Sequence, residues 1–122
     1  MSGVKYLLDT NFILGMLKAT PETTQWVSQR GLLADECAYS AITRMELLGF
    51  PGITLLEDQL IRSRLSSFAY LPITAEIEDA TIALRCAKKI KLPDAIIAAT
   101  ASQHGLDLLT FDATLLATIA KT

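Results

Sequence analysis

The chain has 122 residues, 51% of them hydrophobic and 20% charged, with a net charge of −2 and a mean hydropathy of +0.36. That length suits a single domain over residues 1–122, and the acidic balance excludes nonspecific nucleic-acid binding by the whole surface, leaving only a local basic patch. No apolar run reaches the ~18 residues of a membrane span, and the first one ends at Asp9 without a signal-peptide layout, so a cytoplasmic protein with no membrane partner is expected.

In chain order, Val4 to Leu8 reads as a buried strand that stops at Asp9. A helix over Asn11 to Lys18 follows, with Phe12, Ile13, Leu14, Met16 and Leu17 inside it. Thr20, Pro21 and Glu22 start a second helix and Gly31 stops it. Cys37 to Ala41 is a second strand, and Thr43 to Leu48 a helix closed by the run GFPG. Leu55 to Phe68 has helical spacing, with Leu56, Leu60, Ile61 and Leu65 on one side. Leu71 to Ile73 is a third strand. Glu76 to Ile90 is a longer helix, with Ile77, Ala80, Leu84 and Ala87 facing inward. Pro93 to His104 is a helix closed by Gly105, Leu106 to Thr110 a last strand, and Ala113 to Ala120 a final helix. This alternation predicts an α/β domain with a parallel sheet. Cys37 and Cys86 have no CxxC neighbour and His104 stands alone, so free thiols are expected rather than a zinc site.

The acids fall at telling places on that scaffold. Asp9 lies at the carboxyl end of the first strand and Asp112 just past the carboxyl end of the last, the edge where open α/β sheets bind ligands. Glu46 interrupts the apolar run MELL, as a solvated outer face or as a group held inward. Asp94 opens a helix of small residues, Ala95, Ala98, Ala99 and Ala101, that can pack close to a sheet. Alone it reads as a first-turn charge complementing the helix dipole, worth about 0.3–1 kcal/mol. Four carboxylates brought to one cleft would raise each other's pKa. A hard divalent cation, Mg²⁺ or Mn²⁺, relieves that repulsion and supplies the chemistry of phosphodiester hydrolysis. No Walker-type glycine loop accompanies them, so a nucleoside-triphosphate site is not expected.

Four stretches, YLLDTN, SAITRMELLG, PDAIIAATA and LLTFD, occur in that order with one acid in each. Together they resemble the PIN-domain family, and within it the VapC-type ribonuclease toxins, over Tyr6 to Leu115. The resemblance implies an α/β/α sandwich around a parallel sheet of four or five strands. It implies a metal-dependent ribonuclease using Mg²⁺ or Mn²⁺. By motif, Asp9 and Asp94 would ligate the metal and Glu46 and Asp112 would complete the site, directly or through water. Asn11 would orient the Asp9 carboxylate beside Thr10, and Thr43 and Thr110 would support the acids with their hydroxyls. Where many relatives carry a phenylalanine a few residues after the last acid, this chain has Leu115 or Leu116, a difference that bears on packing more than on chemistry.

Arg85, Lys88, Lys89 and Lys91 cluster just before Asp94, and Arg44 lies two residues before Glu46. They read either as solvated helix ends or as a rim that steers RNA phosphates toward an acidic site. The Leu55–Phe68 segment, with Trp26 and Phe50, is more apolar than a small core needs, and core packing is expected to absorb most of it. The resemblance adds a homodimer and a cognate antitoxin laid across this region. Two rival readings stay open: a PIN nuclease with a housekeeping role in RNA processing, and a non-catalytic α/β binding module whose acids are caps and surface charge.

Overall fold

The computed structural model describes residues 3–120. The strands are β1 (Tyr6–Leu8), β2 (Cys37–Ser40), β3 (Ala69–Leu71) and β4 (Asp107–Leu109), and the helices α1 (Thr10–Lys18), α2 (Pro21–Arg30), α3 (Ala41–Leu48), α4 (Leu55–Leu65), α5 (Ala75–Ala87), α6 (Leu92–His104) and α7 (Ala113–Ala120). All three strand pairings are parallel, in the order β3-β2-β1-β4. The chain therefore builds outward from β1 through β2 to β3, then returns to place β4 on the other side of β1. That reversal is a topological switch point, and the carboxyl ends of β1 and β4 flank it.

A parallel sheet must be covered on both faces, and the strand residues divide accordingly. Leu8, Cys37, Tyr39 and Leu109 pack with Phe12 and Ile13 of α1, Leu47 of α3, Leu65 of α4 and Phe68. Leu7 and Ala38 point the other way, against Ile97 and Ala101 of α6. The result is the three-layered α/β arrangement that the motifs imply. Local chemistry sets the helix ends. Thr20 caps α2, whose first residue is Pro21, and Gly31 ends it at φ 59°. Thr54 and Glu57 close a reciprocal capping box on α4. Gly105 ends α6 at φ 64°, a conformation that only glycine adopts freely.

Several boundaries differ from the sequence expectation. β3 is Ala69–Leu71 rather than Leu71–Ile73, because Pro72 has no N–H to continue the ladder. α3 begins at Ala41, not Thr43, since Ser40 already accepts a hydrogen bond from Thr43 N and ends the strand. α5 stops at Ala87 where Lys88 turns extended at φ −139°, ψ 153°, three residues short of Ile90. α4 ends at Leu65, and Phe68 reaches the core from beyond the helix. A short 3-10 turn at Ala34–Glu36 leads into β2.

The larger correction concerns what the apolar side chains cover. Of the α4 positions expected to face inward, Leu65 is buried and Ile61 half-buried, but Leu56 and Leu60 are 64% and 57% exposed. Phe50 and Leu55 are also exposed, at 65% and 76%. The core does not absorb this segment, because of α4 only Leu65 and Ile61 pack into it. On α5 the expectation holds better: Ile77 is buried, Ala80 and Leu84 are half-buried, and Ala87 is exposed.

Candidate active site

Asp9 leaves β1 and caps α1, so the strand delivers its carboxylate to the positive end of a helix. It is only 5% exposed. Burying a charge costs heavily unless donors meet it, and both of its oxygens have one. Oδ1 accepts from Thr10 N at 2.8 Å and Oδ2 from Thr110 Oγ1 at 2.6 Å. Asp9 N in turn donates to Leu109 O at 3.0 Å, locking the β1 end to β4. Asn11, expected to orient this carboxylate, has an exposed side chain with no hydrogen bond to it. Thr10 N and Thr110 hold it instead.

Thr110 also ties in the last acid, since Asp112 N donates to its hydroxyl oxygen at 3.0 Å. Asp112 Oδ1 accepts from Leu115 N at 3.0 Å at the start of α7, which leaves its second oxygen available. Of the two leucines after this acid, Leu115 is buried and Leu116 is exposed. Glu46 extends from α3 with its side chain exposed, and its Oε1 accepts from Thr10 Oγ1 at 2.7 Å. Thr10 Oγ1 lies 2.9 Å from Thr43 Oγ1.

Asp94 is half-buried in the first turn of α6. Burial pushes its carboxyl above the ordinary range, and the negative charges of Asp9, Asp112 and, more weakly, Glu46 push the same way against Lys91. The helix dipole alone would act in the opposite sense. The fold thus brings Asp9, Asp112 and Glu46 within electrostatic reach of Asp94. Among the described residues, no three acidic, histidine or cysteine side chains are placed to hold a metal ion, and the Asp9 oxygens are turned to protein donors.

The basic residues scatter more than their spacing suggested. Lys91 faces Asp94 electrostatically. Lys88 hydrogen-bonds Thr118 O, and with Lys89 it lines a hollow against Ala113, Thr114, Ala117 and Thr118 of α7. Arg85 is exposed in the last turn of α5. Arg44 is half-buried beside Tyr39, whose phenol is pushed up by burial while the Arg44 charge pulls the other way. Cys37 is buried and Cys86 exposed, both as free thiols. Among the described residues no helix is long and apolar enough to cross a membrane. Sequence reasoning missed Ser40, which is fully buried beneath Glu46's helix with its Oγ 3.4 Å from Thr43 Oγ1. The signal was present: a serine three residues before Thr43 has the spacing of a helix N-cap.

Solved structures share this architecture. A toxin–antitoxin complex from Klebsiella pneumoniae is 34% identical, with a TM-score of 0.80 over 93% of this chain and 91% of that one. FitAcB from Neisseria gonorrhoeae is 28% identical, with a TM-score of 0.76 over 94% of this chain and 93% of that one. DNA-bound VapBC from Salmonella typhimurium, at 20% identity and a TM-score of 0.75 over 93% and 91% of the two chains, is similar in fold. No curated protein matched the chain. The PIN domain family matches residues 6–121, nearly the whole sequence and every acid described above, and the chain belongs to that family.

Proposed function

We propose that this chain is a metal-dependent ribonuclease and the toxin of a toxin–antitoxin pair. The observation that carries the reading is the crowding at Asp94, whose carboxyl is raised by burial and by Asp9, Asp112 and Glu46. A fold gains nothing in stability from that crowding, and a site for a divalent cation needs it. The donor set consists of carboxylate oxygens without thiolate or imidazole, which fits Mg²⁺ or Mn²⁺. Asp9 and Asp94 would hold the ion, with Glu46 and Asp112 joining directly or through water. When bound, such an ion polarises a phosphoryl oxygen and lowers the pKa of water.

The chain's own residues prepare the rest. Thr110 and Thr10 N keep the Asp9 carboxylate in one orientation, and Thr10 does the same for Glu46. Lys91, and Arg85, Lys88 and Lys89 behind it, would draw RNA phosphates to a site that otherwise repels them. The toxin assignment is supported by the similarity to the Klebsiella pneumoniae and Neisseria gonorrhoeae structures, the first of them a toxin–antitoxin complex. Exposed Phe50, Leu55, Leu56 and Leu60 give a protein partner an apolar face to cover. A homodimer, an antitoxin on that face and a cytoplasmic location go with this reading.

The test is purified protein with a pool of structured RNAs, with Mn²⁺ or with EDTA, beside calorimetry of Mn²⁺ binding. Cleavage with the metal and none with the chelator is the expected result. Absence of both binding heat and cleavage at millimolar Mn²⁺ would overturn it. Cleavage without growth arrest on expression would retain the nuclease and remove the toxin role.

A further inference from the structure

Glu46 is exposed, yet the core sets its direction. Thr10 Oγ1 has two neighbours, Glu46 Oε1 at 2.7 Å and Thr43 Oγ1 at 2.9 Å. A hydroxyl carries one proton, and an ionised carboxylate only accepts. Thr10 therefore gives its proton to Glu46 and accepts one from Thr43. Thr43 is fully buried, so no bulk water competes for its hydroxyl. Behind it Ser40, also fully buried, lies 3.4 Å away through its Oγ, the longest and weakest link. Ser40 Oγ accepts from Thr43 N at 3.3 Å, which leaves its own proton for Thr43 Oγ1. We infer that Ser40 and Thr43 form with Thr10 a one-way hydroxyl relay, running from the core to the surface, that positions the Glu46 carboxylate.

Two observations separate this from ordinary satisfaction of buried hydroxyls. Buried Thr81 and Thr100 return their hydroxyls to the carbonyl oxygens four residues back, Ile77 O and Ile96 O, at 2.7 Å each. Thr43 instead sends its hydroxyl sideways to another helix. Secondly, each donor in the row also accepts, and a hydroxyl that accepts is a stronger donor. The relay thus spends its polarity on the one end that carries charge. A long, exposed glutamate otherwise loses rotamer freedom only at a cost, and this arrangement selects one orientation from beneath. The relay's catalytic consequence rests on the ribonuclease reading; its geometry does not.

The experiment compares wild type, Thr43→Val and Thr43→Ser, with Thr43→Ala as the smaller deletion should Thr43→Val fail to fold. In metal-free protein, NMR three-bond couplings report the Thr10 and Glu46 side-chain rotamers. Wild type and Thr43→Ser are expected to show one rotamer at each, and Thr43→Val an average. Calorimetry with Mn²⁺ should then show affinity about tenfold weaker in Thr43→Val, as loss of an outer partner of a ligand typically gives. RNA cleavage should lose kcat with KM unchanged, and Thr43→Ser should restore both affinity and kcat to within about twofold, on the same outer-partner argument. Unchanged couplings in the hydroxyl-deleted variants overturn the relay, whatever metal and RNA do. Couplings that average as expected in a protein that neither binds Mn²⁺ nor cleaves would retain the relay and overturn the ribonuclease reading instead.

Discussion

Two regions of the molecule invert the usual placement of polarity, in opposite directions. At the β1–β4 edge, a carboxylate that solvent would welcome is buried to 5% exposure and met by two protein donors. Along Phe50 to Leu60, four large apolar side chains that a core would welcome stand more than half exposed. Each arrangement gives up stability that a different residue would have retained. The first loss is repaired inside the chain, through Thr10, Thr110 and the α1 N-terminus. The second is repaired by nothing among the described residues. The fold meets its own buried charge, and it leaves open an apolar face of the kind that protein partners cover.

The sharpest way to break this comparison is within α4. Leu65 and Leu56 are both leucines on one helix, 3% and 64% exposed. Leu65→Ala should destabilise by about 2–5 kcal/mol, because it removes buried methylenes and leaves a cavity. Leu56→Ala should stay within about 0.5 kcal/mol, as surface changes do. Urea unfolding of the two variants reads the difference. A large loss in Leu56→Ala would place that face in the chain's own core and end the contrast.

Next in size is the chemistry at the other region. Asp94→Asn exchanges a carboxylate for an amide, a poor ligand for a hard cation. RNA cleavage in Mn²⁺ should fall at least about a hundredfold, or roughly 2.7 kcal/mol of transition-state stabilisation. The thermal upshift produced by Mn²⁺ in wild type should vanish with it. A variant that cleaves at half the wild-type rate would return Asp94 to the role of a helix-end charge.

How much of this was legible in the sequence depends on whether the determinant is local. The start at Thr20 and the stops at Gly31 and Gly105 involve residues within one turn of each other, and spacing shows them. Strand-end acids follow from the element order alone. The partner that orients Asp9 is not local: Thr110, named only through the family motif and not by spacing, is 101 residues away, whereas the nearer Asn11 makes no hydrogen bond to that carboxylate. Ser40 was overlooked because one side chain serves as helix cap and hydroxyl neighbour at once. The α4 stripe was misread for a different reason. Helical periodicity says that one face is apolar, and it is silent on whether the sheet or another chain will cover that face.

The smallest effect separates the two readings of Asp94 most finely. As a dipole-complementing charge, its pKa would be depressed and its ionised form would stabilise the fold, so Asp94→Asn would cost a few tenths of a kcal/mol or more. The structure gives the opposite sign: burial, then Asp9 and Asp112, raise it. A carboxyl whose folded pKa lies above its unfolded value binds its proton more tightly when folded. It therefore opposes folding at neutral pH, and that penalty is relieved as pH falls through the raised value toward the unfolded one. Asn has no such charge to relieve. Metal-free Asp94→Asn should then equal or exceed wild type in stability at pH 7, by on the order of 1 kcal/mol at most. The gap should close on acidification through the interval just above the ordinary aspartate pKa. Unfolding of both proteins in EDTA across pH 4 to 7 measures it, with partial exposure of Asp94 keeping the effect toward the lower end. A gap of the other sign at neutral pH, with wild type more stable, would make the helix dipole the stronger influence and remove the crowding on which the proposed metal site depends.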